Sequence, residues 1–340
     1  MANDCLRPHL FPASAALAGL VFCLVIPAWG PSAQGAQPTL KHVQGIPEGY
    51  ELVEGDILLP IDRKEKYLPT LWPGGIVYFQ FDDNMSTLNQ EQALAAMDTW
   101  MACGAGLSFV PRLNEPNYIH FRDSVENSSM VGMVTGEQFI NIYNWNWHFI
   151  ICHEICHALG FWHEHSRPDR DDFIEVIIAN IPSVSLHNFS IRDEWVTLQT
   201  PYDFDSVMHY SQCSFSLCGE CPDHLTCGSY PYDGRTLLCR AGHESWQEVI
   251  GQREHLSFYD VVDMVDAYGP GQTVFVDPLA DPAGADGTLS RPFLGLADGL
   301  AALDPGGRLF LRGGYYYATS GSLTEPMSWH AYLGSAVLTD

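Results

Sequence analysis

Residues 153 to 164 read HEICHALGFWHE, and this stretch constrains the chain more than any other. On an α-helix His153 and His157 stand one turn apart, so both imidazoles project from one face. Gly160 can take a left-handed conformation, end the helix and turn the chain back. His163 then supplies a third ring nitrogen from beyond the turn. Three protein ligands leave one position of a tetrahedral zinc open to water, the arrangement of catalytic rather than structural zinc. Glu154, beside the first ligand, reaches that water without occupying the metal. Zinc acidifies the water and polarises a carbonyl while Glu154 accepts the proton. The competing reading is a solvated, histidine-rich helix end. His148, His165 and His187 read as packing or surface residues. Cys152 and Cys156 are rotated about 100° from the ligand face, so they read as core-facing free thiols, or as one thiol bridged to Cys103.

The remaining composition narrows the partners. With 16 basic and 41 acidic residues the 340-residue chain carries a net charge of −25, which argues against nucleic acid or anionic lipid. Arg7 precedes an apolar run, Ala13 to Ile26, too short to span a bilayer comfortably, and Ala33-Gln34-Gly35 suits a cleavage site. Residues 1–35 are therefore expected to be a signal peptide, and the mature protein to be secreted and free of membrane. Once Cys5 and Cys23 leave with that segment, eight cysteines remain, five of them between 213 and 239. An even number in an exported chain suggests disulfides. A disulfide-stapled loop is preferred there to a structural zinc at Cys218 and Cys221.

Periodicity orders the elements. IVYFQF (76–81), LSFVPR, NYIHF and QFINIY (138–143) read as strands. Ser86 to Ala102 reads as a helix with an apolar stripe of Leu88, Leu94, Met97, Trp100 and Met101. Beyond Arg170 the pattern is irregular until SFYDVVDMVDAYG, which offers a Ser-x-x-Asp cap and a stop at Gly269-Pro270. The expected fold class is α+β: a twisted mixed sheet with two long helices, then an irregular lower half ending in a helix, with a cleft between. Residues 271–340 change character and form a small β-rich extension.

HEICHALGFWHEHSRPDRDD resembles the extended zinc signature of the astacin metalloproteases of the metzincin clan, including Phe161, Glu164, Arg167, Asp169, Arg170 and Asp171. Ser206-Val207-Met208-His209-Tyr210 resembles that family's Met-turn. The resemblance implies that Met208 forms an apolar floor beneath one zinc per catalytic domain. It implies that Tyr210 is a further zinc ligand that swings away to hydrogen-bond the oxyanion. Val53-Glu54-Gly55-Asp56 resembles the family's propeptide motif, with Val53 in place of a Phe. In that motif the Asp, here Asp56, sits on the zinc and silences the zymogen. Residues 36–63 are thus expected to be a propeptide and 64–270 the peptidase domain. Cleavage falls near the basic cluster Arg63-Lys64-Glu65-Lys66, which suits a trypsin-like activating protease. Glu164 is expected to receive the new N-terminal ammonium. Val131-Gly132, Gln138 and the stretch from Ile250-Gly251-Gln252-Arg253 to Leu256-Ser257 also match. The cysteines depart from the family: Gly106 and Gly269-Pro270 stand where one disulfide pair belongs. No cysteine accompanies Ser129 to Gly132, and the 213–239 cluster looks like a replacement framework.

The resemblance implies a zinc endopeptidase acting on proteins or peptides, often preferring acidic residues after the scissile bond. The alternative is a non-catalytic, zinc-stabilised surface or carbohydrate-binding protein, with 271–340 as the binding module. Residues 273–318 resemble the opening coil of a parallel β-helix. That raises a polysaccharide lyase as a third reading, which the shortness of the segment disfavours.

Overall fold

A hairpin opens the described part of the chain. Strands β1 (Tyr50–Val53) and β2 (Ile57–Pro60) pair antiparallel, and their turn carries Glu54, Gly55 and Asp56. The hairpin joins the edge of a larger sheet containing β3 (Ile76–Phe81), β4 (Ser108–Pro111), β5 (Tyr118–Asp123), β6 (Ser128–Met130) and β7 (Glu137–Ile142). The seven strands run in the order β1-β2-β6-β7-β5-β3-β4. β2 lies parallel to β6, with Ile57 opposite Ser129 and Leu58 opposite Met130. The computed structural model describes residues 46–62, 68–192, 200–217, 234–269, 271–317 and 328–339. The expected signal peptide, the basic cluster at 63–66, and Cys218, Cys221 and Cys227 lie outside the described residues.

Two helices pack on this sheet. α1 (Thr87–Ala102) is capped by Ser86, whose hydroxyl accepts from the Asn89 amide at 3.1 Å. Its buried face is Ala93, Ala96, Met97 and Trp100, while Leu88 and Leu94 are exposed. The stripe read from sequence was therefore wrong in part. At 100° per residue, positions 88 and 94 both lie more than about 100° from the centre of the face formed by 93, 96, 97 and 100. That neighbour is α2 (His148–Ala158), which carries the histidine motif. The Trp100 indole donates to the Cys152 carbonyl at 2.9 Å and ties the helices together. Cys152, Cys156 and Cys103 are free, buried thiols in the shared core, without a bridge among them.

Between α2 and residue 257 the described residues include several short 3-10 turns and a small antiparallel pair, β8 (Ile174–Val176) and β9 (Leu237–Cys239). A second apolar cluster there gathers Phe189, Tyr202, Phe204, Tyr210 and Ile250. Cys213 is disulfide-bonded and Cys239 is a buried free thiol. The lower half ends in α3 (Phe258–Tyr268), opened by a reciprocal capping box between Ser257 and Asp260.

The C-terminal strands β10 (Thr273–Val276), β11 (Arg308–Tyr317) and β12 (Ser328–Thr339) are parallel and stack in chain order, with α4 (Leu296–Ala302) between the first two. They share the main core, to which Phe275 and Phe310 contribute. Arg308 is 2% exposed, and its Nε donates to the Gly104 carbonyl at 2.9 Å. A Cβ on Gly269 would lie 2.0 Å from the Arg308 guanidinium, and one on Gly104 would lie 2.6 Å from the His330 ring. Arg308 is thus wedged between the loop after α1 and the end of α3, near the two places that lack the family's cysteine pair. No helix among the described residues is long and apolar enough to cross a membrane.

Candidate metal centre and cleft

Helical spacing puts His153 and His157 on one face of α2, and the turn at Gly160, with φ +111°, brings His163 back toward them. Asp56 arrives from the hairpin turn. One ligand atom from each of these four residues lies within 4.8 Å of the others. His153 Nε2 and His163 Nε2 are 3.2 Å apart, and each stands 3.3 Å from Asp56 Oδ2. His157 Nε2 is 3.7 Å from Asp56 Oδ1.

The outer nitrogens decide how the rings present themselves. His153 Nδ1 bonds the Val207 carbonyl at 2.8 Å, and His157 Nδ1 bonds the Phe161 carbonyl at 2.8 Å. His163 Nδ1 bonds Glu54 Oε2 at 2.9 Å. These partners are acceptors, so each Nδ1 donates a proton and each Nε2 faces the centre. His157 Nε2 and Asp56 Oδ1 are buried without a hydrogen-bond partner. Buried polar atoms left in this state mark a place for a cation. The donor set, three imidazoles and a carboxylate, fits zinc, and one ion would fill it.

Charge follows the same geometry. Burial holds His157 well below its ordinary pKa and His153 at about 4. Burial also opposes charge on His163, but the Asp56 and Glu54 carboxylates overcome it and lift that ring to about 9. Burial raises Asp56 too, yet the facing histidines pull it well below the carboxylate range. Metal binding at Nε2 of His163 requires that ring to be neutral, so metal uptake would release its extra proton.

The supporting shell comes from both halves of the molecule. Asp260 at the start of α3 accepts from Ser206 Oγ at 2.6 Å and from the Val207 amide at 2.9 Å. Val207 in turn fixes His153. Met208 is buried, and its carbonyl accepts from the Glu164 amide at 3.0 Å. Tyr210 donates its hydroxyl to the Glu54 carbonyl, and its ring stacks on His165 with centroids 3.6 Å apart. His165 therefore packs, as expected, but it packs on a site residue. Glu154 lines the cleft; it is 1% exposed, and its Oε2 has no hydrogen-bond partner. Burial, then Asp56, pushes its pKa well above the usual range. The cleft is also lined by Tyr143, Trp147, Ile150, Phe215 and Arg253. Arg253 is the cleft cation that sequence reading did not place. Its Nη1 donates to the His209 carbonyl at 3.2 Å. The match at Ile250-Gly251-Gln252-Arg253 was the signal that could have found it.

Glu164 lies behind the metal centre in a small cavity with Asp203, Asp260 and Asp263. Its Oε1 accepts from Arg167 Nη1 at 3.1 Å and from the Asp203 amide at 2.7 Å. Burial drives Glu164 well above its ordinary pKa. Burial and the Asp260 charge put Asp203 at about 8, and burial holds Asp263 at about 7.

Known proteins agree with this geometry. The family model described as Astacin, a peptidase family, matches residues 64–269. Meprin A subunit beta of Mus musculus is 33% identical over 231 residues, covering 66% of this chain and 30% of that protein. The low choriolytic enzyme of Oryzias latipes is 35% identical over 177 residues, covering 48% of this chain and 65% of that one. The chain thus spans less than two thirds of the length of either relative. Among solved structures, high choriolytic enzyme 1, a hatching-enzyme zinc protease of Oryzias latipes, superposes with a TM-score of 0.50 at 26% identity. That match covers 59% of this chain and 92% of the other. With a metal-ready histidine triad, a mixed-sheet α+β fold and a family match over most of its length, this chain belongs to the astacin family of zinc metalloendopeptidases.

Proposed function

We propose that the chain is a secreted zinc endopeptidase of protein and peptide substrates, made latent by residues 36–63 and activated by a trypsin-like protease. The observation that carries this is the convergence of three Nδ1-anchored histidines on Asp56. His153, His157 and His163 hold the zinc, which when bound supplies Lewis acidity toward water and a carbonyl oxygen. Glu154 takes the proton of the attacking water and returns it to the leaving amine. Its unpartnered oxygen and raised pKa suit a base whose only task is that proton. The Tyr210 hydroxyl, freed from the Glu54 carbonyl, donates to the oxyanion. Met208 floors the site, and Gly160 makes the turn that delivers His163.

Latency and activation use the same residues. Asp56 fills the position that water requires, and its removal with the hairpin opens the cleft. The cavity at Glu164 gathers four carboxyl groups, of which Glu164 pairs with Arg167, and an incoming ammonium would draw them into their charged forms. The new N-terminus near Arg63 supplies it. Arg253 in the cleft suits an acidic residue after the scissile bond. The test is a casein assay on the full chain before and after trypsin, with and without a chelator. Cleavage that appears only after trypsin and vanishes with chelator supports the reading; chelator-insensitive cleavage, or none, overturns it.

A further inference from the structure

Glu54 does more than form part of a turn. Its backbone sits at φ +49°, in the left-handed region that side chains with a Cβ rarely occupy. The strain is held for a purpose visible in its carboxylate, which is 0% exposed. One oxygen accepts from His163 Nδ1 at 2.9 Å, and the other accepts from Arg192 Nε at 2.5 Å. The Arg192 guanidinium lies over the Trp162 ring, 4.8 Å from its centroid. Trp162 and Val131 in turn pack against Val53, Ile57 and Leu59 of the hairpin. A buried carboxylate is tolerated only when fully paired, and here two charge-assisted donors on an aromatic floor pair it.

We infer that Arg192, over Trp162 and beside His163, forms a subsite for an acidic side chain of the substrate, and that Glu54 occupies it in the latent chain as an internal mimic. The inference rests on the proposed latency, because the hairpin must leave for a substrate to enter. Its departure takes the carboxylate away from both His163 Nδ1 and Arg192 at once. A Glu or Asp side chain of a bound peptide restores both bonds; a Gln or Asn restores neither with charge. The subsite is separate from Arg253, which donates to the His209 and Gln252 carbonyls and makes no hydrogen bond to Glu54 among the described residues. Acidic recognition on this chain thus has two positions, read by two arginines.

The test uses the full chain treated with trypsin and paired fluorogenic peptides that differ only by Glu or Gln, scanned across the positions flanking the cleaved bond. At one position Glu should raise kcat/KM roughly tenfold over Gln, the ordinary worth of a charged hydrogen bond. Arg192→Gln should erase that ratio. Arg192→Glu should invert the ratio, so that Gln is preferred to Glu at the same position. Arg253→Gln should change the ratio at a different position. A Glu/Gln ratio unaltered by Arg192→Gln at every position overturns the inference. The latency reading fails separately, by activity in the untreated chain, and the ratios remain measurable on that same sample.

Discussion

The Tyr210 hydroxyl donates to the backbone carbonyl of Glu54, so the phenol proposed to bind the oxyanion is occupied by the hairpin that also carries Asp56. One turn of chain therefore blocks the metal position through Asp56 and the oxyanion donor through Glu54. Latency in this account is a double occupancy, and each half is separately testable.

Asp56→Ala should raise peptidase activity of the untreated full chain at least tenfold, because three histidines alone leave a coordination position open. Tyr210 remains held in that variant, so activity should stay below that of the trypsin-treated wild type. An untreated Asp56→Ala chain as silent as wild type counts against the switch.

Tyr210→Phe should lower kcat of the activated enzyme about 10²–10³-fold with KM little changed, the ordinary consequence of losing one oxyanion donor. The ring still packs on His165, so folding should persist. Steady-state kinetics beside a thermal melt decide it; a parallel rise in KM would assign the phenol to ground-state binding.

Stability of the latent form should fall as pH rises from about 6.5 to about 8. Asp203 at about 8 and Asp263 at about 7 bind protons in the folded chain that the unfolded chain has already released. Between about pH 6.5 and pH 8, above the range in which the buried histidines oppose this trend, the native state therefore carries more protons through these two groups, and unfolding free energy decreases with pH. Asp263→Asn removes one such group and should flatten the slope, raising Tm near pH 8 by a few degrees. A latent-form Tm that rises between about pH 6.5 and pH 8 contradicts protonated carboxyls at Asp203 and Asp263.

Arg308→Ala should destabilise the full chain by about 2 kcal/mol, since it leaves the Gly104 carbonyl without its donor and empties a buried site. Limited proteolysis should then cut first around residues 103–107. Unchanged Tm and cleavage pattern would mean that the C-terminal strands are merely attached to the peptidase core rather than stapling it.

What the sequence disclosed depended on distance along the chain. His153, His157 and Gly160 sit on one helix and its turn, where a 3.6-residue period fixes relative direction, so the metal face was legible. Ser257 and Asp260 were legible as a cap for the same local reason. Their second task was not, because Asp260 holds Val207 across 53 residues. Glu54 reaches His163 across 109 residues and Arg192 across 138. Arg308 reaches Gly104 across 204. No periodicity encodes such pairings; they depend on the sheet order that sets the hairpin beside β6 and on the shared core that seats β11. The missing family cysteines were visible as an anomaly. The residues standing near their place, Arg308 between two glycines, became visible only in the fold.

The most direct measurement is metal content and peptidase activity on the same trypsin-treated sample, for wild type and Glu154→Gln. The account predicts one zinc per chain in both, chelator-sensitive cleavage in wild type, and activity reduced by about 10²–10⁴-fold or more in Glu154→Gln with its zinc retained. Full activity in the zinc-loaded Glu154→Gln enzyme, or wild-type cleavage that survives removal of the metal, would contradict it.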